Sequence, residues 1–294
     1  MGKGEAQGTT RGPEFLAIGH VTKDLLPGGG YALGGTVSYA ALTAARLGCV
    51  AAIFTSAPSS LELSAALPGV HTHVVPSSSA TTFENIYHEG RRQQHVHAVA
   101  NPLRVELLPA AWRTAPIVLC APVVHEVGSE WLGVFPNALL GATPQGWLRA
   151  WNHGGRVRLR RWSEAQRVLS EVDVLIFSEE DVAHDEALVQ EYASMARLAV
   201  VTRGYKGATL FRAGIARDFG AFRAHEVDPT GAGDVFAAAF LVRLHETGDP
   251  GAAATFANCA ASLSIEGAGM GAVPDRHQVE ERLLRGELDN RGTT

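Results

Sequence analysis

Short apolar, β-branched runs alternate along this chain with blocks that carry apolar residues at three- and four-residue spacing, and this alternation limits the fold more than any other feature. Phe15 to Ile18, Ile117 to Leu119, Ala138 to Leu140, Val172 to Phe177 and Leu198 to Thr202 read as strands. Ser38 to Leu47, Ser163 to Leu169, Asp185 to Ala193, Gly233 to His245, Gly251 to Ile265 and Arg276 to Leu284 read as helices. Strands separated by helices are joined by crossovers, and crossovers build a mostly parallel sheet with helices on both faces. The expected class is therefore α/β.

One region departs from this rhythm. From His71 to Val99 polar and apolar residues alternate through HTHVV, TTFENIY and RQQHVHAV, with a Glu89-Gly90 turn before the last of these. Such alternation signals antiparallel hairpins. A small second sheet, inserted around 71–99, is expected to act as a lid on a single domain spanning 1–294. A disordered segment over 1–13 and a flexible tail over 286–294 are expected at the ends.

Composition narrows the function classes. With 46% hydrophobic and 19% charged residues, the chain is not predominantly disordered. Its longest apolar run, Val235 to Val242, is about a third of a bilayer-spanning helix, and the opening MGKGEAQGTTRG lacks a secretory core. A cytoplasmic location with no membrane partner is expected. The net charge is −5, and apart from Arg156, Arg158, Arg160 and Arg161 the basic residues are scattered, so nucleic acid is not an expected partner. Cys49, Cys120 and Cys259 lie far apart in apolar surroundings and read as reduced core thiols. The only lysines are Lys3, Lys23 and Lys206, and none completes a Gly-Lys-Ser/Thr phosphate loop.

The chemistry concentrates in Asp228 to Phe240, DPTGAGDVFAAAF. Small residues at a helix start let backbone N–H groups approach a ligand, and the helix dipole behind them attracts negative charge. Asp234 puts a carboxylate beside that anion nest. A base that accepts a hydroxyl proton during phosphoryl transfer accounts for it. A first-turn acidic cap accounts for the same residue without any chemistry.

The whole thirteen-residue string closely resembles the second signature of the ribokinase-like (PfkB) carbohydrate kinase family, and Gly34-Gly35 followed by SYAALTAARLG resembles the first. The resemblance runs from about Phe15 to Pro274. It implies a ribokinase-like fold and assigns Asp234 as catalytic base, with Gly231, Ala232 and Gly233 as the anion hole. By the same resemblance Asp24 grips substrate hydroxyls, and Gly34 and Gly35 border the sugar site. Thr202, Gly204 and Gly207, within TRGYKGA, resemble the nucleotide-proximal turn, and Asn258 resembles an adenine-side asparagine. Asp228 matches an aspartate that helps hold a monovalent cation in several relatives. Plainer roles fit the same residues: Asp24 as a solvated loop carboxylate, Asn258 as a mid-helix polar residue, Asp228 as a turn former.

Two departures from the family pattern stand out. Where family members carry Asn-x-x-Glu to organise magnesium and phosphate, this chain has Ser178-Glu179-Glu180-Asp181. Oxygen ligands for a hard cation persist in Asp181 and Glu180. Tyr39 stands where many sugar-specific relatives have asparagine. TTFENIYHEGRRQ and TPQGWLRAW offer Asn85, Arg92, Gln145 and Arg149 as polar pocket contacts and Trp147 as a stacking wall, with surface or lid-packing roles equally open. Together these features look most like the inositol-kinase-like and other poorly typed branches of the family. His71/His73 and His95/His97 pair on strand faces without a third zinc ligand and read as exposed lid residues.

The expectation is an ATP-dependent kinase acting with Mg2+, and with K+ at Asp228, on a hydroxyl of a small sugar or cyclic polyol. A nucleoside kinase and a ligand-sensing protein on the same fold are the alternatives. Exposed lid edges suggest a homodimer.

Overall fold

The computed structural model describes residues 12–88, 91–286 and 288, so residues 1–11, Glu89-Gly90, 287 and 289–294 of the expected tails and turn lie outside the description. In chain order the strands are β1 (Phe15–Ile18), β2 (Thr22–Leu25), β3 (Tyr31–Gly34), β4 (Ala51–Ala57), β5 (Val70–Pro76), β6 (Thr81–His88), β7 (Arg91–Ala98), β8 (Ile117–Cys120), β9 (Leu139–Ala142), β10 (Arg149–Trp151), β11 (Val157–Leu159), β12 (Val174–Ser178), β13 (Ala199–Thr202), β14 (Ala208–Arg212) and β15 (Ile215–Phe219). The helices are α1 (Thr36–Arg46), α2 (Leu63–Ala66), α3 (Ala165–Glu171), α4 (Glu186–Met195), α5 (Ala232–Thr247), α6 (Pro250–Ser264) and α7 (Arg276–Arg285).

Nine strands form one sheet in the order β15-β14-β13-β12-β9-β8-β1-β4-β5. Every pairing from β13 through β5 is parallel, and β14 and β15 close one edge antiparallel. One face is covered by α1, α5 and α6. Val235 to Val242, the longest apolar run, is wholly buried there, with Phe236 and Phe240 stacked 6.1 Å apart. Burying each such ring contributes about 2–3 kcal/mol. On the other face Trp131, Trp147, Trp162 and Tyr192 pack with α3 and α4. The expected α/β class, with a mostly parallel sheet flanked by helices, holds.

The small sheet differs from expectation in membership. His71 to Pro76 belongs to β5, which pairs residue by residue with β4 on the edge of the main sheet. An edge strand has one wet face, so it alternates like a hairpin strand, and the two cannot be told apart by pattern. The small sheet has the order β3-β2-β6-β7, so two of its strands come from 22–34, before α1. β4 escapes a propensity reading because AAIFTSA is rich in alanine, although all seven residues are buried.

Buried hydrogen bonds fasten the small sheet to the end of β1. His20 is fully buried, its Nδ1 2.8 Å from Thr81 Oγ1 and its Nε2 2.9 Å from Asn101 O. Glu126, 4% exposed, accepts from the N–H groups of His20, Val123 and Val124. That carboxylate folds the loop after β8 onto the loop after β1, at the C-terminal edge of the main sheet where α/β folds bind ligands.

Candidate active site

The starts of α1 and α5 converge on this edge. Gly35 caps α1 at φ 91°, and a Cβ there would lie 2.5 Å from His20 O. Gly231 caps α5 at φ 81°, with its Cα against the Tyr39 ring: a Cβ would meet Tyr39 Cδ1 at 2.3 Å. Only glycine combines that left-handed backbone with so close a ring. Ala232 N–H donates to Pro229 O at 3.2 Å, whereas the N–H groups of Gly233 and Asp234 lack an acceptor inside the helix, and Gly233 is exposed. Of the three residues assigned to the anion hole, Ala232 thus spends its N–H on Pro229, while Gly233 offers an open one next to that of Asp234.

Asp234 is half-buried at this N-terminus, and its surroundings push its pKa up from 3.8 to about 7. Burial is the main cause, reinforced by the negative charges of Asp181 and Asp24. A hydrogen bond from the Thr36 hydroxyl and the positive charge of Arg149 pull in the opposite direction. A carboxylate poised near neutrality suits general-base work. Thr36, at the first position of α1, was not singled out from sequence; a threonine directly after a glycine pair at a helix start was the available signal.

The remaining polar residues of the site come from two directions. Asp24 and Phe83 are register partners on β2 and β6, so Asp24, Phe83 and Asn85 share one face of the small sheet. Asp24 Oδ1 accepts from Thr22 Oγ1 at 3.1 Å, and its carboxylate leaves no room for a side chain at Gly34, where a Cβ would be 2.2 Å from Oδ2. Asn85 Oδ1 accepts from Gln94 Nε2 at 3.1 Å. From the main body, Arg149 donates to Val123 O at 3.2 Å and lies over the Phe83 ring, 5.2 Å from its centroid. His125, held at φ 68°, clamps the Arg149 carbonyl at 2.6 Å. Gln145 donates to Asp181 Oδ1 at 3.3 Å.

Several assignments change. Trp147 is not a pocket wall: it is 7% exposed, stacked 4.9 Å from Trp162, and donates to Val127 O at 2.8 Å within the core. Asn258 is buried, and its amide donates to Phe219 O at 3.0 Å and Gly220 O at 3.1 Å, so its donor group is spent on holding the end of β15. Thr202 is half-buried at the end of β13. Gly204 faces open space, but Gly207 is wedged under Phe219 O. The Arg92 side chain lies outside the described residues.

The three proposed metal carboxylates do not gather. Among the described residues no group of three His, Cys, Asp or Glu side chains meets at metal-binding distance. Ser178 and Asp181 form a reciprocal cap instead, Ser178 N–H donating to Asp181 Oδ2 at 2.9 Å and Glu180 N–H to Ser178 Oγ at 3.2 Å, with Glu180 exposed. Asp228 accepts from Thr230 N–H at 2.9 Å and Gly269 N–H at 3.0 Å. Burial alone would raise its pKa, but those hydrogen bonds outweigh it and hold the carboxyl below its ordinary value. The histidines find other partners: His73 stacks on Phe54, while His95 and His97, whose rings meet edge to face at 6.5 Å, bond Gln93 and Glu84 respectively. All three cysteines are free, their thiols pushed up to about 11 to 12, chiefly by burial. No helix among the described residues is long and apolar enough to cross a membrane.

A helix N-terminus that offers free amides, a half-buried carboxylate near neutrality and Asp24 of the second sheet acting on that carboxylate make a site on an α/β fold that can hold an anion beside a base. The chain belongs to the pfkB family of carbohydrate kinases, whose family model matches residues 130–276, half of its 294 residues. Over 63 residues it is 54% identical to a ribokinase of Bacillus subtilis (strain 168), a stretch covering 21% of this chain and only 22% of that protein. Its fold is similar to that of a pyrophosphate-dependent kinase of the ribokinase family complexed with a pyrophosphate analogue and myo-inositol, at TM-score 0.77 and 24% identity over 91% of this chain and 99% of that one. It is also similar to an Arabidopsis thaliana ribokinase complexed with ribose and ATP, at TM-score 0.72 and 20% identity over 92% and 99%.

Proposed function

We propose that this protein transfers a terminal phosphoryl group, with ATP as the donor, to one hydroxyl of a small sugar or cyclic polyol, the inositol type fitting best. The observation that carries the reading is Asp234, a carboxyl pushed up to about 7 beside two open helix-terminal amides. Asp24 and Asn85 orient the acceptor from the small sheet, and Gln145 and Arg149 from the main body. Asp234 accepts the hydroxyl proton as that oxygen attacks phosphorus in line, while the Gly233 and Asp234 amides and the Arg149 charge stabilise the transferring group. Thr202 and Gly204 border the donor's phosphate end.

Mg2+ is bound mainly by phosphate oxygens and water in such sites, with one or two carboxylates added, so Asp181 alone fits as its protein ligand. It would neutralise donor charge. Asp228 belongs to the K+ side of the reading, tested by comparing activity in potassium and tetramethylammonium salts. The small sheet serves as the lid that excludes water when the acceptor binds. Its outer strand β3 would provide the edge of a homodimer, since β7 is bridged at His95 and Val96 to Gly155 and Arg156 of the same chain.

A screen of ATP consumption over sugars, inositols and nucleosides tests the reading, with turnover on an inositol expected and silence across all acceptors refuting it. Pyrophosphate belongs in the screen as a second donor, favoured by the Asn258 amide, which is committed to the main chain and not open to a base. Nucleosides fall behind the polyols because Trp147 lies in the core.

A further inference from the structure

Among the described residues, one buried side-chain oxygen or nitrogen has no hydrogen-bond partner: Thr143 Oγ1. Thr143 is 8% exposed. Native interiors carry few such orphans, and each calls for a reason.

Its position supplies one. Thr143 N–H donates to Cys120 O at 3.0 Å, which extends the parallel ladder of β8 and β9 one step past Ala142. Alternation along that extended strand sets its side chain on the same face as Leu139 and Gly141. Leu139 packs into the core beneath α1, α5 and α6, and a Cβ at Gly141 would meet Leu241 of α5 at 2.6 Å. The orphan hydroxyl is therefore on the α5 face of the sheet, at the strand end towards which α5 directs Gly233 and Asp234. Gln145, two residues on, reaches Asp181, whose charge acts on Asp234. A hydroxyl offers one donor and two acceptor positions, the complement of an alcohol. The anionic donor has the amides of α5 and a divalent cation has Asp181, so a neutral hydroxyl at this strand end is matched to the acceptor, on the side from which Gln145 and Arg149 also come.

We propose that Thr143 is an acceptor-binding residue whose hydroxyl hydrogen-bonds one hydroxyl of the polyol held in front of Asp234. The inference rests on the kinase reading given under Proposed function. Binding would satisfy this orphan hydroxyl, so an acceptor bearing a hydroxyl at that point is selected over one without it.

The test is Thr143→Val, which keeps the shape and removes the hydroxyl, alongside Thr143→Ser, which keeps the hydroxyl. For the best acceptor, Thr143→Val lowers kcat/KM by about 10–100-fold, with donor KM unchanged and Tm equal to or above wild type, because no orphan remains. Thr143→Ser stays within about fivefold of wild type. Against the deoxy analogue lacking the contacted hydroxyl, wild type and Thr143→Val converge. Acceptor kcat/KM within about twofold of wild type for Thr143→Val, or a loss confined to donor KM, overturns the inference. Should Thr143→Val fail to fold, the deoxy series on wild type and Thr143→Ser decides: no deoxy position at which wild type loses about tenfold also overturns it. A wild-type chain that phosphorylates no acceptor rejects the kinase reading itself, a result distinct from an active wild type that Thr143→Val matches.

Discussion

Asp234→Asn separates catalytic strain from structural capping, because the two roles predict opposite signs for stability. The folded chain holds the Asp234 carboxyl at about 7 against an ordinary 3.8. The folded state therefore binds the proton more tightly than the unfolded one, and stability is lost as pH rises from about 4 to about 7, then stays level. One unit is worth about 1.4 kcal/mol, so full burial would make the penalty about 4 kcal/mol. Asp234 is only half-buried, and solvent screening reduces the figure to about 1–2 kcal/mol. Asparagine keeps the shape and still accepts from Thr36, but carries no charge. The variant should match wild type near pH 4 and exceed it by about 2–4 °C in Tm at pH 8. Thermal melts of both proteins from pH 4 to 8.5 measure this, and turnover on the same samples should fall by about 10²–10⁴-fold. A stability difference that stays flat with pH, or a variant less stable at pH 8, would refute the strained-base account and favour a simple cap.

Four further outcomes are expected. Wild-type kcat/KM should fall about tenfold per pH unit below about 7 as Asp234 protonates, and Arg149→Met, which removes the positive charge that lowers this pKa, should move that limb to higher pH. Gly231→Ala should cost about 2–4 kcal/mol from left-handed strain and the overlap with Tyr39; in a Tyr39→Ala background, itself destabilised by loss of a core ring, the same substitution should cost less, a coupling that a double-mutant cycle in urea would read. Asn258→Ala should lower stability by about 1–3 kcal/mol by orphaning Phe219 O and Gly220 O, without a selective rise in ATP KM. Glu126→Gln should loosen the loop over 123–126 and raise acceptor KM more than donor KM, since its four hydrogen bonds hold His20 beside the small sheet and Val123, whose carbonyl accepts from Arg149.

The alternation of short strands and helices was legible because each period is a local property, and so was the order of DPTGAGD, whose small residues must precede an uninterrupted helix. From those strings alone came the parallel sheet, the helix that carries Asp234 and the carboxylate beside its amides. Sequence could not tell whether His71 to Pro76 pairs with β4 or with a hairpin partner, since an edge strand in either sheet has one wet face. Nor could it assign Trp147 to the core, Asn258 to the end of β15, or Ser178 and Asp181 to a mutual cap, because each of these depends on which distant carbonyl or ring the chain brings near. The raised pKa of Asp234 has the same origin. Four chain segments, bearing Asp24, Thr36, Arg149 and Asp181, meet around one carboxyl, and the balance of their charges with its burial exists only once the sheet has drawn them together.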